Sequence, residues 1–258
     1  MAEPSRRVLL IGSSVGRSLS VAFQNAGFEA AGLDCLYQPI DVGEEGLPGL
    51  VDAIRADRSV LGANVTIPHK QSVLRWLDEL DPGAGAIGAV NTISRNGTRL
   101  KGWNTDGQGF EAALAELGFD AAGKVAAVLG AGGAARAVVA ALAGRADRVH
   151  VVNRTLARAE QLCRELGVER GGPVSVVQLA ATIAQAHLVV NATPADQPAA
   201  ASIAAPRLYF DLRSRKSIAG RLMLLHQGLA AFQIWTGRPA PEPAMRAALV
   251  RAAEEVTA

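Results

Sequence analysis

Short apolar runs of strand length alternate with helix-spaced stretches along almost the whole chain, and no other feature narrows its fold as much. Val8–Ile11, Leu36–Ile40, Val60–Val65, Lys124–Leu129, Val149–Val152, Val174–Val177, Leu188–Val190 and Leu208–Leu212 read as strands. Between them, three- and four-residue apolar spacing predicts helices. One runs from about Leu19 to a left-handed cap at Gly27. Others carry Leu47, Leu50, Val51 and Ile54; then Val73, Leu74, Trp76, Leu77 and Leu80; then Phe110, Leu114 and Leu117; then Leu156, Ala159, Cys163 and Leu166. Pro82 and a glycine-rich turn close the first set. Two tail helices carry Leu222, Leu225, Leu229 and Phe232, then Met245, Leu249 and Val256. Such alternation specifies α/β architecture with a mainly parallel sheet, because parallel neighbours need a crossover helix. The 258 residues allow one large domain or two modest ones, and two α/β halves meet near the helix after Asp106.

One turn is more specific. Gly130-Ala131-Gly132-Gly133-Ala134-Ala135-Arg136 follows the 124–129 strand directly and opens a helix. Glycine at 130 permits a tight turn, glycine at 132 lets backbone approach a pyrophosphate, and the small Ala135 allows close helix–strand packing. In that context the turn predicts dinucleotide binding; the alternative is a packing turn rich in glycine and alanine. The next strand ends at Asn153-Arg154-Thr155, with Arg158 one helical turn further on. An acidic side chain there would accept ribose hydroxyls, whereas guanidinium groups suit a 2′-phosphate. NADP is therefore the expected cofactor, against the alternative that both arginines are simply solvated.

Composition excludes several classes. Hydrophobic residues make up 49% and charged residues 19%, enough for a packed core, and the net charge of +2 gives no reason to expect nucleic acid or an anionic membrane as partner. Cys35 and Cys163 are isolated, and the four histidines form no paired spacing, so neither a disulfide framework nor a metal site is expected. Val8–Ile11 is too short for a signal peptide, and no apolar stretch reaches membrane-span length. A cytoplasmic protein is the expectation; oligomeric state is not readable.

Only four of the 26 basic residues are lysines, and Lys70 lies in Gly62-Ala63-Asn64-Val65-Thr66-Ile67-Pro68-His69-Lys70, a strand end expected to enter a helix at Pro68. An ammonium in a first helical turn opposes the helix dipole, which hints at acid–base work; the alternative is an ordinary first-turn lysine pointing into solvent. Gly88-Ala89-Val90-Asn91-Thr92-Ile93 and Gly102-Trp103-Asn104-Thr105-Asp106-Gly107 are the other polar clusters, and Asp106 could equally be a helix N-cap. Gln227 lies off the apolar stripe of its helix, to face a polyol or water.

These blocks, with Gln227…Phe232…Trp235-Thr236-Gly237, resemble the shikimate dehydrogenases in order and spacing over nearly the whole chain. The resemblance implies a substrate domain of residues 1–106 plus a returning C-terminal helix 238–258, and a Rossmann NADP-binding domain of residues 107–237. It implies an oxidoreductase that reversibly reduces 3-dehydroshikimate to shikimate by hydride transfer from the cofactor, in the chorismate pathway of aromatic amino acid biosynthesis. Lys70 matches the lysine that relays the proton and Asp106 the aspartate paired with it. Ser18 and Ser20 match a carboxylate clamp, and Thr66, Asn91 and Gln227 match residues that hold the carboxylate or ring hydroxyls. Gly130, Ala131, Gly132, Gly133, Ala134, Asn153, Arg154, Thr155, Arg158 and Thr193 match the cofactor site.

The chain also departs from the pattern. Arg17 and Val21 replace a histidine and a proline around the clamp, and Ser214 stands where a tyrosine is common. Ser214–Gly220 is short, as if a strand and part of a helix were missing, Gly220-Arg221-Leu222-Met223 replaces a glycine-richer run, and Asn191-Ala192-Thr193 continues into Pro194-Ala195-Asp196. These changes suggest a divergent paralogue, with quinate or aminoshikimate as alternative substrates and a low-activity sensor of NADP or a pathway metabolite as a third reading.

Overall fold

The computed structural model describes residues 4–195 and 208–257, so Asp196 lies outside the described residues. The chain forms two compact units, one from residues up to Thr105 together with those from Leu225 onward, the other Asp106–Leu224.

In the first unit, β1 (Arg6–Gly12), α1 (Leu19–Ala30), β2 (Cys35–Asp41), α2 (Leu47–Ala56) and β3 (Val60–Val65) follow the expected alternation. After them come β4 (Glu79–Leu80), α3 (Pro82–Ile87), β5 (Thr92–Asn96) and β6 (Arg99–Trp103). The sheet order is β2-β1-β3-β5-β6-β4, with β1 parallel to both neighbours and β5 antiparallel to β3 and β6. Its core gathers Ile11, Leu47, Val51, Ile54, Val65, Ile93 and Leu100.

Several expectations need correction here. No helix carries Val73–Leu80. Residues 67–71 form turns, Ser72–Trp76 is a short 3-10 helix, and Glu79–Leu80 is β4, parallel to β6. The carbonyls that would close an α-helix are already taken: that of Ile67 accepts from Ser13 N–H (3.0 Å) and that of Lys70 from Val90 N–H (2.7 Å). Lys70 is therefore in no helical first turn, and the dipole argument for it falls. The Ile67–Pro68 bond is cis. The supposed glycine-rich turn is α3, capped by Asp81, whose carboxylate accepts from Gly83 N–H (3.0 Å), with Pro82 in its first turn. Helix α1 runs past Gly27 to Ala30, and Gly32 takes the positive φ instead. Gly27 serves packing: a Cβ there would lie 2.9 Å from the Met245 sulfur.

The second unit contains α4 (Asp106–Glu116), β7 (Val125–Leu129), α5 (Gly133–Ala143), β8 (Arg148–Asn153), α6 (Leu156–Glu165), β9 (Gly171–Ser175), α7 (Leu179–Gln185), β10 (Leu188–Asn191) and β11 (Leu208–Asp211). Among the described residues its five strands are all parallel in the order β9-β8-β7-β10-β11, which is the Rossmann arrangement, with the direction of winding reversing beside β7. Alternation along each strand separates two cores. Ala126, Val128, Val149, Val151, Leu188 and Val190 face one layer, while Ala127, Leu129, Val152 and Val189 face the other.

Helix α8 (Ile218–Thr236) contains the second crossing between units, and α9 (Glu242–Thr257) follows. The return to the first unit thus falls at Leu225 rather than at 238. Phe232 stacks on Phe28 at 5.2 Å, and the Trp235 indole N–H donates to the Ile93 carbonyl (2.9 Å). Among the described residues no helix is long and apolar enough to cross a membrane.

Candidate active site

The first unit gathers its polar residues where β1 and β3 end. Asn64, the penultimate residue of β3, is buried, and its amide nitrogen donates to the Asn91 carbonyl and to Thr92 Oγ1, both at 3.0 Å. Its Oδ1 accepts from the Tyr37 hydroxyl (2.8 Å), a ring with no solvent exposure. Burial pushes that phenol's pKa up, so it stays a neutral donor, and the Ser20 hydroxyl contacts it as well. Ser18 caps α1, its hydroxyl accepting from Ser20 N–H (3.2 Å). The two serines of the expected clamp are thus brought together at the N-terminus of a twelve-residue helix.

Asn91 is the hub. Its Nδ2 donates to Thr105 Oγ1 (2.9 Å) and to Gln227 Oε1 (3.2 Å), and its Oδ1 accepts from Thr105 N–H (2.8 Å) and Thr92 Oγ1 (3.0 Å). Gln227 is therefore not turned to water; it is 8% exposed and reaches back to a residue 136 positions earlier. Thr66 packs its methyl against Gly12, where a Cβ would come within 2.4 Å, and its N–H donates to Ile11 O (2.8 Å). Lys70 is half-buried and fixed by its carbonyl to Val90, the neighbour of Asn91. The adjacent His69 is fully buried, and its Nε2–H donates to the Val42 carbonyl (2.7 Å), since a carbonyl can only accept. Tyr37, Thr92 and Thr105 were not expected from sequence. Each lies in a buried network that only the strand register assembles.

In the second unit Asp106 is the first residue of α4, not its N-cap, and is 4% exposed. The glycine turn follows β7 as expected. Gly130 has φ +110°, and a Cβ there would press within 3.1 Å of the Ala192 carbonyl and the Thr193 methyl. Only glycine fits both the backbone and the space. Gly132 precedes α5 with no side chain capping that helix, and a Cβ on it would meet nothing within 4 Å. Ala131, Gly133 and Ala134 are partly open, leaving the first N–H groups of an eleven-residue helix approachable. Thr193 is set by the buried Asn191, whose Oδ1 accepts from its N–H (3.1 Å) and hydroxyl (2.8 Å). Asn153 closes the end of β8 by donating to the Thr155 carbonyl (2.8 Å), and Arg154, Thr155 and Arg158 are exposed there. No carboxylate stands at 153–155, so these residues fit a 2′-phosphorylated dinucleotide.

The shortened 214–220 segment is a built turn. Arg213 Nε straddles both oxygens of the Asp211 carboxylate (2.8 and 3.0 Å) and Ser217 donates to the Asp211 carbonyl (2.6 Å). Gly220 fits because a Cβ would lie 2.6 Å from that same carbonyl. Among the described residues the sheet ends at β11.

Comparison with known proteins agrees with this geometry. Residues 10–93 match the shikimate dehydrogenase substrate binding domain, residues 111–211 the shikimate/quinate 5-dehydrogenase family, and residues 220–250 the shikimate 5′-dehydrogenase C-terminal domain. Shikimate dehydrogenase (NADP(+)) from Methanopyrus kandleri is 39% identical, covering 93% of both chains, and that from Geobacter metallireducens is 41% identical, covering 93% of this chain and 94% of the other. The structure of shikimate 5-dehydrogenase from Thermus thermophilus with NADP(H) and shikimate superposes with a TM-score of 0.83 at 35% identity, over 96% of this chain and 99% of that one. A quinate dehydrogenase from Corynebacterium glutamicum with NAD gives 0.83 at 28% identity, over 96% and 99%. Two units carrying these motifs on these elements, with matches of that extent, place the chain in the shikimate dehydrogenase family.

Proposed function

We propose that the protein is an NADP-dependent shikimate dehydrogenase of the cytoplasm, interconverting 3-dehydroshikimate and shikimate. The observation that carries this reading is the buried Asn91–Thr105–Gln227 network beside Lys70, in a chain so extensively similar to enzymes of that name. When bound, NADPH supplies the hydride that adds to the ring ketone. Lys70 is the acid that stabilises the resulting alkoxide and protonates it, and Asp106 is its partner in the proton relay. Ser18 and Ser20 hold the carboxylate by hydroxyl and helix-end hydrogen bonds. Thr66, Asn91 and Gln227 take the carboxylate or ring hydroxyls. Both N–H groups of Asn91 already have protein acceptors, so a substrate hydroxyl binds by exchanging with one of them. The glycine turn takes the pyrophosphate, with Thr193 beside it, and Asn153, Arg154, Thr155 and Arg158 take the phosphorylated ribose.

The curated relatives named above favour shikimate; the quinate dehydrogenase likeness keeps quinate as the competing substrate. The test is the initial rate of NADPH formation with shikimate, quinate and aminoshikimate, repeated with NAD. Turnover of shikimate with NADP is expected to dominate. NADP binding without turnover of any of the three acids rules the reading out and leaves the sensor.

A further inference from the structure

At the opposite end of the first sheet from Ser18, Thr66 and Asn91, a cavity of about 320 Å³ is lined by Arg6, Arg55, Arg58 and Arg95 together with the Gly97–Thr98 turn. These arginines come from the start of β1, the end of α2, the loop before β3 and the end of β5. No carboxylate lines the cavity. The acids nearby in sequence are engaged, Asp57 by Arg7 (2.5 Å) and Asp78 by Arg55. Arg6 Nη1 and Arg95 Nη2 donate to one acceptor, the Arg58 carbonyl, at 2.9 and 2.8 Å. Two guanidinium charges are thus held on either side of a single neutral oxygen. Arg95 is further fixed by Nε to the Val60 carbonyl (2.6 Å), and Arg55 by Nη2 to the Trp76 carbonyl (2.9 Å). Among the described residues the Arg58 guanidinium makes no hydrogen bond or ion pair of its own.

Backbone carbonyls hold the Arg6 and Arg95 forks without neutralising them, whereas Arg55 is already paired with Asp78. The charges of Arg6, Arg58 and Arg95 repel one another until an anion enters, and guanidinium forks match phosphate oxygens in bidentate fashion. We propose that this cavity is a binding site for a small phosphate-bearing anion, of pyrophosphate or phosphomonoester type, separate from the candidate active site.

Calorimetric titration with inorganic pyrophosphate and with glucose 6-phosphate at fixed ionic strength tests it and distinguishes the two phosphate types. Because pyrophosphate also suits the glycine turn, the variants locate the site. Arg58→Glu, or Arg58→Gln if the former folds poorly, is expected to weaken the binding roughly tenfold or more, while the charge-matched control Arg251→Glu leaves it unchanged. The Arg58 side chain holds nothing in the fold, so the ligand-free melting temperature of either Arg58 variant should equal that of the wild type. No binding of either probe by the wild type, or equal binding by the Arg58 variants, overturns the proposal. So does tighter binding of a single-stranded oligonucleotide that Arg58→Glu abolishes, which would assign the cavity to nucleic acid.

Discussion

Lys70 shows what a residue type can and cannot reveal. Its scarcity in an arginine-rich chain singles it out, but the helical first turn whose dipole would oppose its ammonium does not exist. Its position comes from sideways hydrogen bonds, the Lys70 carbonyl to Val90 and the His69 imidazole to Val42. Replacing Lys70 by Ala should lower kcat about 10²–10⁴-fold, as loss of a general acid predicts, while the half-buried position limits the change in melting temperature. Steady-state rates beside a thermal melt separate the two effects. Arg154 and Arg158 are exposed and make no side-chain hydrogen bond or ion pair among the described residues, so their joint change to Ser should raise KM for NADP by roughly tenfold or more and leave KM for NAD nearly unchanged. An equal rise for both cofactors would remove the arginines from phosphate selection. At the two cysteines, burial pushes both thiols up to about 11. Their thiol–disulfide exchange at pH 8 should run about 100-fold slower than that of an unperturbed thiol, because only the thiolate attacks; reaction with a chromogenic disulfide measures it.

At the level of elements, the parallel βα units were legible because strands buried on both faces leave continuous apolar runs. The β5–β6 hairpin was not found, although its signal was present: Asn96-Gly97 between two runs of alternating pattern, with Gly97 at φ +62°. Polar motif residues stand at either end, Asn91-Thr92 and Trp103-Asn104, and mask the strand pattern between them. Apolar spacing at 73–80 was misleading in the other direction. Val73 and Leu77 do face an apolar core, but a 3-10 turn and a two-residue strand take them there. Close element packing also left no trace that spacing could reveal. At Gly62 in β3 a Cβ would stand 2.1 Å from the Ile93 carbonyl and 2.8 Å from the Trp235 ring. Gly62→Ala should therefore destabilise the protein by about 2–3 kcal/mol in chemical denaturation, because backbone and a buried indole cannot both yield cheaply. A variant as stable as the wild type would mean that β3 and β5 separate without loss.

For the molecule as a whole, stability should depend on pH in one direction. Hydrogen bonds from Ser59, from Leu100 and from Gln161 hold the carboxyls of Asp57, Asp78 and Glu165 below their usual range, with Arg7, Arg55 and Arg136 adding to the effect. A carboxyl whose folded pKa is depressed binds fewer protons than its unfolded counterpart, so its contribution is present above about pH 4 and is lost as pH falls through the folded value. Burial depresses His150 in the folded state, and Arg148 adds to it, so a smaller loss begins below about pH 6.5. Thermal melts from pH 8 to pH 3 should show a slight decline and then a steep one, the steep part weakened by salt because each of these carboxylates is partly open to solvent; a rise in stability on acidification contradicts the assignment. The order of apolar runs and the glycine turn determined the α/β class, the two-unit division near Asp106 and the cofactor-binding element, since each depends on neighbours within a few residues. Tertiary structure alone decided that Gln227 meets Asn91 across 136 positions, that Tyr37 and Thr105 complete the buried network, and that four arginines from separate segments line one cavity. Those meetings are set by strand register and helix packing, which no local spacing encodes.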